Sequence, residues 1–144
     1  MTCTFFGHRK IFSEIQPKLE STLVYLIENK CADTFYIGNQ GDFDYIVRKT
    51  LKSLKVIYPH IKYYVVLAYL PGKRSKLNFD DFEDTIYPEG LENVPGKYAI
   101  SKRNEWLIAH SDAVITYVND STGGAAHFKE LAEKKGKQII NLVS

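Results

Sequence analysis

Three glycine-containing turns each follow a short apolar run, and their residue types suit the binding of an anion. The first is Gly7-His8-Arg9, the second begins at Gly38, and the third ends in Gly123-Gly124. Glycine lets a ligand approach the backbone, and arginine donates hydrogen bonds to phosphate or carboxylate. The candidate ligand-binding residues of these turns are Gly7, His8, Arg9, Gly38, Asn39, Gly41, Asp42, Asp44, Ser121, Thr122, Gly123 and Gly124.

Each turn also has a purely structural interpretation. Gly7 could serve only its backbone conformation, Arg9 could form a surface ion pair, and Asp42 could only cap a helix, whereas Asp44 could equally hold a ribose hydroxyl. The third turn opens a helix whose first amides are unpaired, which favours a phosphate or carboxylate guest. It is not a Walker loop, because Gly-Lys-Ser/Thr is missing. It is not the dinucleotide fingerprint either, because that motif belongs after the first strand.

The elements that must position these turns alternate along the chain. Apolar runs at 2–6, 34–37, 62–68, 113–118 and 138–142 predict five strands, and amphipathic segments between them predict helices. Ser13 and Asp42 are expected to cap the first two helices. We therefore predict an α/β fold: a single Rossmann-like three-layer domain over residues 1–144, with a mostly parallel sheet of order 3-2-1-4-5 and helices on both faces.

In such a sheet, ligands bind beyond the carboxyl ends of the strands, near the point where the strand order reverses. The predicted order makes the three turns neighbours at that edge, so their separately weak signals converge on one site. The long connection 69–97 is the exception to the alternation and is expected to hold a short strand around residues 85–87. The basic stretch 72–76 within it is interpreted as a solvated loop.

Composition limits the classes of partner. The 144 residues carry a net charge of only +2, which argues against nucleic acid as a partner, because a concentrated basic face is expected there. No apolar run approaches the roughly 20 residues that cross a bilayer. Cys3 and Cys31 fit no metal spacing and are interpreted as free thiols, so we expect a cytoplasmic protein with no metal and no cofactor.

The three motifs together resemble a known group. "CTFFGHR", "YIGNQGDFD" and "KRNEWLIAHSDAVITYVNDSTGGAAHF" are similar, in that order, to motifs of the YpsA-like branch of the SLOG superfamily, which is named for the Smf/DprA proteins and the LOG enzymes. The resemblance implies a Rossmann-like fold that binds a nucleotide or a nucleotide-derived small molecule. It adds Arg103 and Asn104 to the ligand-binding residues and implies a homodimer or higher homo-oligomer.

The LOG enzymes, which cleave an N-glycosidic bond, also resemble this chain at individual positions. That resemblance puts Arg103 and Glu130 at the catalytic arginine and glutamate positions. Asn104, Ala126 and His127 depart from the LOG pattern. Glu130 has a structural alternative as well, because it lies four residues before Lys134 and can form a helical ion pair.

Three functions remain open at this stage. The first is a module that binds a nucleotide-derived ligand as a sensor or a sequestering protein. The second is a LOG-like hydrolase that uses Arg103 and Glu130, with the glutamate supporting an oxocarbenium-like centre or activating water. The third is a DNA-associated role like that of DprA, which would need a basic face with stacking aromatic residues. Whether the protein is an enzyme is left undecided.

Overall fold

The computed structural model describes residues 1–70 and 84–143, in which strands and helices alternate as the sequence predicts. The strands are β1 (Thr2–Gly7), β2 (Thr34–Ile37), β3 (Lys62–Val66), β4 (Asp84–Ile86), β5 (Ala113–Tyr117) and β6 (Gln138–Asn141). The helices are α1 (Gln16–Asn29), α2 (Gly41–Ile57), α3 (Ala99–Ala109) and α4 (Gly124–Lys134). Short 3-10 turns at Leu91–Asn93 and Gly96–Tyr98 lead into α3.

All six strands of the described residues form one parallel sheet, in the order β4-β3-β2-β1-β5-β6. This confirms the predicted α/β fold and the predicted order of the five main strands. The expected short strand in the long connection is also present, as β4, which pairs with β3 at the edge of the sheet.

Helices cover both faces of the sheet. On one face, α1 and α2 bury a leucine-rich stripe against β1, β2 and β3, with Leu19, Leu23, Leu51 and Leu54 fully buried. On the other face, α3 and α4 pack a smaller core against β1 and β5. Because helices cover both faces of the sheet at β5, this strand is buried along its whole length.

Both predicted helix caps are wrong. Helix α1 begins at Gln16, beyond Ser13, and the Ser13 hydroxyl oxygen instead accepts a hydrogen bond from Tyr117 at 3.3 Å. Helix α2 begins at Gly41, so Asp42 lies inside its first turn and accepts a hydrogen bond from the Ile11 amide at 2.9 Å. In both cases a contact between distant segments replaces the local one.

Several expectations concern features outside these elements. Cys3 and Cys31 are free, as expected. Across residues 1–70 and 84–143, no helix is long and apolar enough to cross a membrane, and no three His, Cys, Asp or Glu side chains are grouped to hold a metal ion. The basic stretch 72–76 lies outside the described residues.

Candidate functional site

A cavity of about 310 Å³ opens at the carboxyl edge of the sheet, next to the end of β1. The strand order reverses at this point, because the chain builds outward from β1 first through β2 and later through β5. The cavity walls come from the turn after β1, the start of α2, one face of α3 and the first turn of α4. Its polar side chains and glycines are Gly7, His8, Arg9, Gln40, Asp44, Ser101, Arg103, Asn104 and Gly124.

Arg103 is a buried cation in this wall, with 2% of its surface exposed. Its Nη1 donates to the Val66 carbonyl oxygen at 2.8 Å, and its Nε donates to Asn104 Oδ1 at 2.8 Å. A longer contact of 3.4 Å joins Nη1 to Asn39 Oδ1. Burial lowers the pKa of Arg103, and the Asp44 carboxylate opposes that effect. These contacts fix the guanidinium group in place at the carboxyl edge of the sheet.

Asp44 lies beside Arg103, and Gly38 leaves the room for both. A Cβ at Gly38 would lie 2.7 Å from Asp44 Oδ2 and 3.3 Å from Arg103 Cζ. Asp44 Oδ2 accepts a hydrogen bond from the Gln40 amide at 2.9 Å. Burial raises the pKa of Asp44 to about 6, although the Gln40 amide and Arg103 act to lower it. Gly38 therefore leaves room for two buried side chains of opposite charge, and it does not itself line the cavity.

The substitution Asp44→Asn should remove a pH dependence of stability. The pKa of Asp44 is about 6 in the folded protein against an ordinary 3.8, so the folded state binds the proton more tightly than the unfolded chain. The resulting stabilisation is present below about pH 4 and is lost as the pH rises through about 6. As the pH rises from about 4 to about 8, the wild-type free energy of unfolding should therefore fall by up to about 3 kcal/mol relative to that of the variant.

Urea unfolding of both proteins at about pH 4 and about pH 8 measures this difference. A wild-type and variant pair whose stability difference is the same at both pH values would contradict the assignment of the raised pKa to Asp44.

The turn after β1 is held by α2. The Arg9 carbonyl oxygen accepts a hydrogen bond from the Asp42 amide at 2.7 Å, and Asp42 Oδ2 accepts one from the Ile11 amide. Gly41 has a φ of +88°, and a Cβ there would lie 2.6 Å from the Arg9 Cα. Gly41 and Asp42 therefore position the turn that carries Arg9, and they lie behind the cavity wall.

Gly7 and His8 have separate structural roles in the same turn. A Cβ at Gly7 would lie 2.3 Å from the Phe43 ring, so glycine is needed there for packing. His8 Nε2 accepts a hydrogen bond from the Asn119 amide at 3.1 Å, and its ring stands edge-on to Tyr117. His8 thus joins the turn after β1 to the loop after β5.

The first turn of α4 reaches the cavity through Gly124 and Ala125. Gly123 precedes the helix with a φ of +94°, a conformation that favours glycine. The His127 amide makes the first helical hydrogen bond, to the Gly123 carbonyl oxygen, so the amides of residues 124–126 have no partner within the helix. Thr122 donates its amide and its hydroxyl to Asp120 Oδ1 at 3.0 Å, which makes the preceding residues an exposed turn.

The structure brings together part of the predicted set. The predicted residues that line the cavity are Gly7, His8, Arg9, Asp44, Arg103, Asn104 and Gly124. The predicted residues outside its lining are Gly38, Asn39, Gly41, Asp42, Ser121, Thr122 and Gly123. Sequence reasoning missed the other seven lining residues, which are Phe5, Phe6, Gln40, Ile100, Ser101, Ala125 and Phe128. Helical spacing from Arg103 and Gly124 could have found Ile100 and Phe128, at intervals of three and four residues.

Glu130 is not brought to the cavity. Its side chain is 66% exposed and forms an ion pair with Lys134 at 3.4 Å, which is the structural alternative. It lines a separate surface depression together with Lys129 and Glu133. The pairing of Arg103 with Glu130 that a LOG-like hydrolase would use is therefore not present in this geometry.

Comparison with known proteins places the fold. No family model matches the chain, and no curated protein is detectably similar in sequence. Among solved structures, DNA processing protein A (DprA) from Streptococcus pneumoniae superposes over 97% of this chain, with a TM-score of 0.67 and 15% identity. The chain shares the Rossmann-like fold of DprA. The superposition covers 49% of the S. pneumoniae protein, so the chain spans about half of its length.

A second solved structure concerns the single-stranded DNA binding mode of DprA from Helicobacter pylori. It matches over 98% of this chain and 64% of its own, with a TM-score of 0.64 and 16% identity. Both likenesses agree with the SLOG resemblance at the level of the fold, and they do not extend to the YpsA-like branch.

The argument against nucleic acid as a partner is wrong. A protein of this fold, H. pylori DprA, binds single-stranded DNA, so the fold is compatible with a nucleic-acid partner. The physical reason is that net charge averages over the whole surface. From residue 45 to its end at 57, α2 has no acidic residue and carries Arg48, Lys49, Lys52 and Lys55.

Proposed function

We propose that the cavity at the carboxyl edge of the sheet binds the phosphate and sugar of a nucleotide, so that the chain acts as a nucleotide-binding module. The observation that carries the proposal is the meeting of Arg9, the buried Arg103 and the first turn of α4 around one cavity. Helix N-termini and arginine are the usual recognition elements for phosphate.

The size and walls of the cavity support a single nucleotide unit. About 310 Å³ is at the lower end of ligand pockets, which hold small molecules of this class. Phe6 and Phe128, whose rings stack at 5.7 Å, and Ile100 form an apolar part of the wall suited to a base or to the ribose ring. The three sequence motifs support placement in the YpsA-like branch, in which such a module would sense or sequester its ligand.

Single-stranded DNA is the second candidate ligand. It is favoured by the likeness to H. pylori DprA, and it presents the same phosphate and base groups as a free nucleotide. Both candidates use the same cavity, so the first experiment tests the phosphate site that they share.

Ala125→Asp should weaken nucleotide binding at least about tenfold, since a carboxylate in the cavity repels phosphate. Ala125 lines the cavity in the first turn of α4, so the new charge faces the ligand. Aspartate near a helix N-terminus stabilises the helix, so the variant should fold. Isothermal titration with nucleoside 5′-monophosphates and with the matching nucleosides measures the effect.

Ala126→Asp is the matched control. Ala126 is the next residue of the same helical turn, but it lines the separate depression that contains Glu130. The Ala126→Asp variant should bind nucleotides as the wild type does. Equal losses in the two variants, or equal affinity of the wild type for nucleoside and nucleotide, would overturn the phosphate site. Chromatography of the titrated samples also detects a released base, which would favour the hydrolase.

A further inference from the structure

Phe12 is the most exposed large apolar side chain of the described residues, with 93% of its surface open to solvent. It lies in the connection between β1 and α1, three residues after Arg9. An isolated exposed phenylalanine is ordinary by itself. The residues next to Phe12 in the chain and in space indicate a role in ligand binding.

The backbone on both sides of Phe12 is anchored. The Ile11 amide donates to Asp42 Oδ2 at 2.9 Å, and the Ile11 side chain packs against the main core. On the other side, Ser13 Oγ accepts a hydrogen bond from Tyr117 at 3.3 Å. Because both neighbours of Phe12 contact distant segments, the exposed ring lies on a held stretch of chain, which lowers the ordering cost of binding a flat ligand.

A second depression of about 330 Å³ lies at this ring and adjoins the nucleotide cavity. Phe12, Lys10 and Tyr117 line it, and His8 lines both this depression and the cavity. Lys10 supplies a cation on the same stretch as the ring. Asp120 also lines the depression, and its Oδ1 accepts hydrogen bonds from the Thr122 amide and hydroxyl. An anionic group is therefore best accommodated on the Lys10 side.

We propose that this depression is a second nucleotide subsite, in which a base stacks on Phe12 and its phosphate contacts Lys10. The inference rests on the proposed function, because the neighbouring nucleotide occupies the cavity beyond His8. Two adjoining subsites define the ligand as a single nucleic acid strand of at least two nucleotides. A basic groove with stacking aromatic residues is the usual device for binding such strands without sequence preference.

Phe12→Ala should weaken binding of a short 5′-phosphorylated oligothymidylate at least about tenfold, in line with the loss of one stacked base. Binding of thymidine 5′-monophosphate, which fills only the cavity, should change less than about twofold. Phe12→Trp should retain the oligonucleotide affinity, because tryptophan also stacks. Fluorescence anisotropy with the labelled oligonucleotide, and titration calorimetry with the monophosphate, give the two affinities.

Tyr25→Ala is the control, since Tyr25 is an exposed aromatic residue on α1 with 53% exposure and lines neither depression. The inference is overturned if Phe12→Ala binds the oligonucleotide as the wild type does, or loses both ligands equally. It also fails, with the proposed function intact, if the wild type binds the monophosphate as tightly as the oligonucleotide. Failure of the wild type to bind either ligand would overturn both.

Discussion

Arg103→Met should lower the free energy of unfolding by about 3–5 kcal/mol, because it leaves two buried acceptors without their donor and removes the cation that lowers the pKa of Asp44. After the substitution, Asp44, which is 9% exposed, no longer has the buried cation of α3 near it. The substitution also takes the donors from the Val66 carbonyl oxygen and from Asn104 Oδ1. Urea unfolding near neutral pH measures the loss.

A double-mutant cycle separates the electrostatic interaction between Asp44 and Arg103 from the hydrogen bonds that Arg103 donates. Asp44→Asn combined with Arg103→Met should recover part of the lost stability, because the buried carboxylate is then absent. The Arg103→Met loss should also be smaller at about pH 5 than at about pH 8, since the pKa of Asp44 is about 6 and its protonation removes the unpaired charge. Strictly additive effects at both pH values would contradict the coupling of the two residues.

Gly41→Ala should cost about 2–5 kcal/mol of stability and should weaken nucleotide binding. Two effects combine: an alanine at a φ of +88° is strained by about 1–2 kcal/mol, and overpacking adds about 1–3 kcal/mol. The clash is with the backbone of Arg9, at 2.6 Å from its Cα, so no side-chain rotation can relieve it. Displacement of Arg9 then removes a cation from the cavity wall.

Gly90→Ala is a control for the strain alone. Gly90 has nearly the same φ, +87°, but a Cβ there would meet nothing within 4 Å. It should lose only the strain of about 1–2 kcal/mol and keep the nucleotide affinity of the wild type. Thermal unfolding and titration of the two variants side by side measure both effects. Equal stability losses would show that the contact with Arg9 is unimportant.

The sequence was sufficient for the order of elements and for the edge of the sheet at which the cavity lies. Apolar runs marked the strands, and a parallel sheet with helical crossovers necessarily gathers the carboxyl ends of its strands at one edge. For this reason the turns at Gly7 and Gly124 were correctly predicted to meet, although more than a hundred residues separate them. The short strand β4 was also predicted, around residues 85–87, and the structure has it at Asp84–Ile86.

Side-chain roles were decided only by tertiary structure. Asp44 and Arg103 lie on different helices, and their pairing depends on how α2 and α3 pack on opposite faces of the sheet. The face of α4 that meets the cavity is set by the packing of the helix on the sheet, and Glu130 lies outside that face. Local pattern determines which segments form strands and helices, whereas burial, pairing and the direction of each side chain depend on contacts between distant segments.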